Sequence, residues 1–266
     1  MTSPPAGQPP TPRPAASIVM LRDGGQGIEV FMVERHQGAG LAFSGALVFP
    51  GGKVDAEDRA TAWPELAPPD GGPDLAFWVA AVRETFEEAG ILLARQQGSG
   101  AFVAGVEVAR LAAQIRRGGP NVAGAPFAPL LRHEGLVPAL DALVHFGHWI
   151  TPTWAPRRFD THFFLVRAPA DQCTQPDLQE SAAGLWLSPV EAIEQTDRGH
   201  RSLVAVTRFT LELLATWSSV EEALAAARRR QVVTVLPQRE RTSEGFVLRI
   251  PKAAGYVRSE LLVPRG

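Results

Sequence analysis

The sequence predicts one mixed α/β domain in which strands and helices pack as a sandwich. Three observations carry that expectation. Short apolar, β-rich runs recur along the chain, helical patterns interrupt them, and no compositional break marks a second domain. With 266 residues, 45% of them hydrophobic and 20% charged, the chain can bury a sizeable core.

Residues 1–16, MTSPPAGQPPTPRPAA, are rich in Pro and small residues and lack an apolar segment. They are expected to be a disordered lead-in and not a secretory signal. From Ser17, SIVMLRD and IEVFMVERH read as strands joined through GGQG into a hairpin. GALVFPGG is a short apolar strand ending in a Pro-Gly-Gly turn, and residues 53–74 read as irregular, with PELAPPDGGPD a clear loop. Leu75 to Leu93 is periodic like a helix, with Phe77, Ala81, Phe86 and Ala89 among its apolar positions. VEVARLAAQIRRG reads as an amphipathic helix stopped by Gly118 and Gly119, and GPNVAGAPFAP as a loop.

LVHFGHWITP, THFFLVRAP and AAGLWLSP are strand-like, and PVEAIEQTDRG has the Pro start and Gly stop of a helix. SLVAVTRFTLELLATW and VEEALAAARRR are expected helices, forming an extension from about residue 201. VVTVLP and GFVLRI look like a closing pair of strands. LLVPRG, residues 261–266, resembles a thrombin-type cleavage linker and is expected to be a tail.

The formal charge of −2, from 26 basic and 28 acidic residues, gives no bulk attraction to nucleic acid or anionic membrane. Cys173 is the single cysteine, which excludes an internal disulfide and a cysteine metal cluster and suits a reducing compartment. No apolar run approaches the roughly 18 residues that span a bilayer.

Within AAVRETFEEAG, residues 80–90, Glu84, Glu87 and Glu88 have the spacing that puts three carboxylates on one helical face. Like charges so placed repel, and the repulsion grows where solvent is excluded. The stretch is either a solvated acidic face, the usual fate of a charge run, or a site for a hard divalent cation such as Mg²⁺. Its flanks favour the second. Gly90 stops the acidic turn, and VFPGGKVD supplies carbonyls that can complete a metal site and glycines that admit a phosphate.

GGKVD followed by RETFEEAGI resembles the Nudix box, G-x5-E-x7-R-E-U-x-E-E-x-G-U with U apolar, of the Nudix hydrolases. Gly52 matches the opening glycine, and Arg83, Glu84, Glu87, Glu88, Gly90 and Ile91 match the second half. Gly52 and Arg83 lie 31 positions apart, so about 17 residues are inserted, and the isolated Glu of the box falls on Leu75. In the family that Glu braces loop and helix against the Arg. Here Asp55, Asp58 or Asp74 can substitute, or the brace differs. Thr85 stands at an apolar position of the box. The interrupted box and WITPTWAPRRFDTHFFLV resemble the long-insert branch that includes a mammalian peroxisomal coenzyme A diphosphatase, from about Ser17 to Trp217.

The resemblance implies a Nudix-type α/β/α sandwich with a mixed sheet, an insertion at about 53–74 and a helical C-terminal extension. It implies Mg²⁺- or Mn²⁺-dependent hydrolysis of the pyrophosphate bond of a nucleoside diphosphate joined to another group. Glu87 and Glu88 would bind metal, Glu84 would bind metal or act as general base, and the Gly51 carbonyl would add an oxygen. Arg83 would fix the helix and its loop. Glu180 is the candidate carboxylate from outside the box, set against an exposed strand-end residue.

Arg157 and Arg158 would hold a phosphate through bidentate hydrogen bonds, set against a salt bridge to Asp160. Arg35 and His36 end a strand that heads towards the glycine turn and would face substrate. His145 and His148 read as core or rim histidines, and Trp149 and Trp154 as packing residues more readily than as base-stacking ones. Coenzyme A or an acyl derivative leads as substrate, with ADP-ribose, NADH or a dinucleoside polyphosphate next. A nucleotide-binding module without catalysis is the alternative class, disfavoured because all three carboxylates are kept. The chain ends in PRG and not in a Ser-Lys-Leu type of peroxisomal address, so coenzyme A is the leading expectation only, and the single cysteine suits a cytoplasmic enzyme. Homodimers are common in the family, so a homodimer is one assembly the resemblance allows, with no interface located by the sequence.

Overall fold

The run PAASIVML sets the architecture. In a computed structural model that describes residues 9–35, 45–69, 72–117, 127–173 and 181–264, it forms the middle of strand β1 (Arg13–Gly24). Ala16, Ile18 and Met20 enter one core, while Val19 and Leu21 enter another. The two-residue period of a strand buried on both faces requires that division.

There follow β2 (Gly27–Arg35), β3 (Ala46–Val48), β4 (Gly51–Lys53), α1 (Leu75–Ala89), β5 (Ala94–Gln96), α2 (Gly105–Arg117), α3 (Phe127–His133) and β6 (Leu136–Pro138). Then come β7 (Val144–Ile150), β8 (Phe159–Arg167), β9 (Ser181–Leu187), α4 (Pro189–Asp197), β10 (Ser202–Leu203), α5 (Ala205–Leu214) and α6 (Val220–Arg229). The chain closes with β11 (Thr234–Val235), β12 (Gln238–Arg241), β13 (Gly245–Arg249) and β14 (Glu260–Pro264).

The main sheet is mixed and runs β10-β3-β2-β1-β8-β7-β11, with β4 added to β1 and β9 to β2. Residues of α1, α2 and α3 fill the core on one face, and residues of α4, α5 and α6 the core on the other. The expected sandwich of helices on both faces of a mixed sheet is therefore the observed architecture. No helix of the described residues is long and apolar enough to cross a membrane.

Several boundaries differ from expectation for identifiable reasons. β1 starts at Arg13 because its backbone N–H donates to Arg158 O at 2.9 Å, so order begins before Ser17. Helix α1 stops at Ala89, where Gly90 takes a left-handed φ of 68° and its N–H caps Phe86 O; Ile91 to Leu93 are buried beyond the helix. Of the stretch expected as a loop, 119–126 lie outside the described residues, and its last three open α3, whose Phe127, Ala128 and Leu131 are buried.

VVTVLP and GFVLRI do not pair with each other. β11 runs parallel to β7, whereas β13 lies between β12 and β14 in a separate three-stranded sheet. Most of the expected tail is β14, with Val263 opposite Phe246 and Leu261 packed on the second core. The insertion is packed and not merely irregular. Trp63 is 1% exposed, donates Nε1–H to Glu57 O, and lies against Phe127 with ring centroids 6.0 Å apart.

Candidate active site

The Pro-Gly-Gly turn is fastened to the start of β1. Pro50 O accepts from Ser17 Oγ and from Ile18 N, both at 2.9 Å. β4 then lies antiparallel to β1, with Gly51 opposite Ser17 and Gly52 opposite Ala16. Gly51 has φ 155°, and a Cβ there would stand 2.3 Å from Ala16 O. At Gly52 a Cβ would stand 2.3 Å from Glu84 Oε1. The absent side chains are what let the carboxylates of α1 settle on β4. The Gly51 N–H itself donates to Glu88 Oε2 at 2.8 Å.

Arg83 joins helix, turn and insertion. Its Nε donates to Asp58 Oδ1 at 2.9 Å, and Nη2 donates to Asp58 Oδ2 at 2.8 Å and to Lys53 O at 2.9 Å. Nη1 donates to Glu84 Oε1 at 3.0 Å and to Glu87 Oε2 at 2.9 Å. A guanidinium has five N–H donors, and these partners use all five. Burial works against the charge of Arg83, but the Asp58 bonds and the Glu84 and Glu87 charges outweigh it and raise its pKa.

Asp58 is thus the brace that the sequence left open among three aspartates. It is fully buried, while Asp55 stays 3.9 Å from Arg83 with its side chain 62% exposed and Asp74 lies at the N-terminus of α1. Thr85, the odd residue at an apolar position, is also fully buried and satisfies its hydroxyl on Ala81 O at 2.7 Å.

The electrostatics of Glu84 and Glu87 favour a cation. Burial first, opposed by Arg83 and reinforced by the charges of Glu87 and Glu88, pushes the Glu84 carboxyl up to about 8. Glu87 is raised in the same way, by burial first. Carboxylates crowded on a glycine cradle, sharing one guanidinium, form an all-oxygen donor set of the kind that fits Mg²⁺ or Mn²⁺.

The other sequence-derived candidates scatter. Glu180 and His36 lie outside the described residues. Arg35 ends β2. Arg157 is exposed, whereas Arg158 is 8% exposed and donates from Nε to Thr151 O and from Nη1 to Pro10 O, both at 2.9 Å. Those contacts tie backbone segments together, so the phosphate role expected of Arg158 does not fit its observed donors. Asp160 pairs with His148 and not with either arginine. Trp149 is buried with its Nε1–H on Tyr256 Oη, and Trp154 is exposed beneath Arg239.

The family described as NUDT19 Nudix domain matches residues 70–204, just over half of the chain. The chain belongs to the Nudix hydrolases. The broader NUDIX domain description matches residues 11–103. Acyl-coenzyme A diphosphatase NUDT19 of Gallus gallus is 31% identical, over 84% of this chain and 71% of that protein. The Homo sapiens protein of the same name is 32% identical over 64% of this chain, and the match spans 56% of its length. The crystal structure of a NUDIX hydrolase from Alicyclobacillus acidocaldarius superposes with a TM-score of 0.67 at 30% identity, covering 81% of this chain and 96% of that one.

In this Nudix hydrolase two features escaped the sequence. Glu57 Oε2 accepts from Phe127 N at 2.6 Å, holding the insertion to the start of α3. His145, His148, Asp160 and His162 gather on β7 and β8, although alternation along the strand already placed Asp160 and His162 on one face. Burial first, and neighbouring histidine charge second, holds His145 down at about 4 and His162 at about 3.

Proposed function

We propose that this Nudix hydrolase cleaves the pyrophosphate bond of coenzyme A or an acyl-coenzyme A with Mg²⁺ or Mn²⁺ as cofactor. The observation that carries the chemistry is that Arg83 holds Glu84 and Glu87 while the Gly51 N–H holds Glu88, with Glu84 seated against Gly52. The substrate choice is supported by the acyl-coenzyme A diphosphatases that the chain resembles. Glu84, Glu87, Glu88, the Gly51 carbonyl and Glu180 would hold the ion. Bound there, it supplies Lewis-acid charge neutralisation on the phosphates and makes water nucleophilic at neutral pH.

The residues of the chain do the rest. Gly52 leaves room for the Glu84 carboxyl beside the backbone. If Glu84 is not itself a ligand of the ion, its burial and raised pKa suit it to take the proton of the attacking water instead. Arg83 keeps Glu84 and Glu87 at fixed separation and has no donor left for substrate. Exposed Arg157 takes the 3′-phosphate of coenzyme A, and Arg35 faces the substrate from the end of β2. The enzyme works in the cytoplasm as a homodimer, which imaging of a fluorescent fusion and light scattering test.

The deciding assay measures products from coenzyme A, dephospho-coenzyme A, acetyl-coenzyme A, ADP-ribose, NADH and diadenosine polyphosphates with Mg²⁺ or Mn²⁺. Release of 3′,5′-ADP from coenzyme A, lost in Glu87→Gln, is expected. Preferential cleavage of another compound would keep the chemistry and discard the substrate. Silence across the panel would overturn catalysis in favour of nucleotide binding alone. Arg157→Ala is expected to lose more on coenzyme A than on its dephospho form, and equal losses remove that role.

A further inference from the structure

A second group of ligating side chains lies apart from the carboxylates. His148 on β7 stands directly opposite His162 on β8, and Asp160 precedes His162 by two residues on the same face. One donor atom from each of the three lies within 4.8 Å of the others. In register, Gly52 lies opposite Ala16, Ala16 opposite His162, and His162 opposite His148. At about 4.8 Å per strand the histidine pair is roughly 10 to 14 Å from Gly52. The two sets share no ligand.

The outer nitrogens of both rings are engaged. His148 Nδ1 meets Thr234 Oγ1 at 2.7 Å, and His162 Nδ1 meets His145 Nε2 at 2.9 Å. When His162 donates to His145, the lone pair of His162 sits on Nε2. When His148 donates to Thr234, its Nε2 lone pair faces Asp160 Oδ1 at 2.5 Å. Two acceptors at that separation need a cation or a proton between them. A histidine whose far nitrogen is fixed by a hydrogen bond is the usual form of a metal ligand.

We propose that His148, Asp160 and His162 form a separate Zn²⁺ site, with Thr234 and His145 orienting the two imidazoles. Two imidazoles and one carboxylate favour zinc or a similar transition ion over Mg²⁺, and three protein ligands leave a fourth position for water. The rings stack 10° from parallel with centroids 4.0 Å apart, so a shared ion turns each ring edge inward. The broad terminal torsion of histidine permits that rotation. The ion clamps β7 to β8 beside β11.

The test uses the full chain carrying Glu87→Gln, so that the carboxylate site is disabled, stripped of metal and titrated with Zn²⁺ against a chromogenic chelator. One equivalent is expected to bind and to raise the melting temperature. His148→Ala and Asp160→Asn, at half-buried positions, are expected to weaken binding at least ~100-fold, and exposed Thr234→Val by about 10- to 100-fold. Circular dichroism checks that each variant is folded; should His148→Ala fail that check, Asp160→Asn and Thr234→Val decide. Unchanged zinc affinity in the folded variants, or no equivalent bound by the parent, overturns the site. Because Glu87→Gln is the parent, the outcome is independent of pyrophosphate hydrolysis.

Discussion

Asp58→Asn is expected to cost about 3 kcal/mol of folding free energy, between the loss of one charge-assisted hydrogen bond and the removal of a buried ion-pair partner. Asp58 is fully buried; its Oδ1 accepts from Arg83 Nε, and its Oδ2 accepts from both Arg83 Nη2 and Asp55 N. An amide keeps one oxygen, so at best it saves the doubly used position and turns an N–H towards the Nε–H of Arg83. Outright loss of a partner costs about 3–5 kcal/mol, but Glu84, Glu87 and Lys53 O stay on the guanidinium and hold the cost near the lower end. For a chain of this size that is a melting temperature roughly 6–10 °C lower. Asp55→Asn is the control, since Asp55 is exposed and 3.9 Å away, and should stay within about 0.5 kcal/mol. Urea titration with a shared slope gives both values. If the two variants unfold at the same midpoint, Asp58 is not the brace.

Gly52→Ala places a Cβ 2.3 Å from Glu84 Oε1, and its nearest contacts are all with that carboxyl. Mn²⁺ affinity and hydrolysis are expected to fall at least ~10-fold while the melting temperature changes little, readable by electron paramagnetic resonance and product assay. Tyr256 is the single tyrosine, and burial raises its pKa above the ordinary tyrosine value of about 10. A group held protonated in the fold gives stability that is complete below that value and lost as pH rises through the folded one. Tyrosinate absorbance above pH 10 should therefore appear together with unfolding, and early ionisation of a folded chain would contradict it. Arg158→Ala removes the bonds to Thr151 O and Pro10 O and should destabilise by about 2 kcal/mol. Arg157→Ala, at an exposed neighbour, should be within about 0.5 kcal/mol, and urea midpoints separate the two.

What the sequence made legible was local. The hairpin through GGQG, the helix from Leu75 and the shared face of Glu84, Glu87 and Glu88 follow from periodicity and glycine placement alone. What stayed hidden depends on partners distant in sequence. Asp58 was one of three equivalent aspartates until the turn around it was fixed by Trp63 and Glu57. Arg157 and Arg158 are indistinguishable as a dipeptide, yet one faces solvent and the other two backbone carbonyls. β11 and β13 read as a pair because each is a plausible strand, but pattern carries no information on which edge a strand chooses. His145 and His148 are three residues apart and would face opposite ways on a regular strand; a register shift between His145 and Gly147 brings both to His162.

The position of Asp58 also bears on how such chains change over time. Because the brace comes six residues after Gly52, the chain can be lengthened between Asp58 and α1 without parting any of the groups that grip Arg83. Loop-closure entropy grows only logarithmically, by about 0.6 kcal/mol per doubling of length. Natural variation in this enzyme's lineage should therefore concentrate there. A search that demands fixed spacing between glycine and arginine will pass over the longer members, whereas one that asks for a buried acid within reach of the arginine will find them.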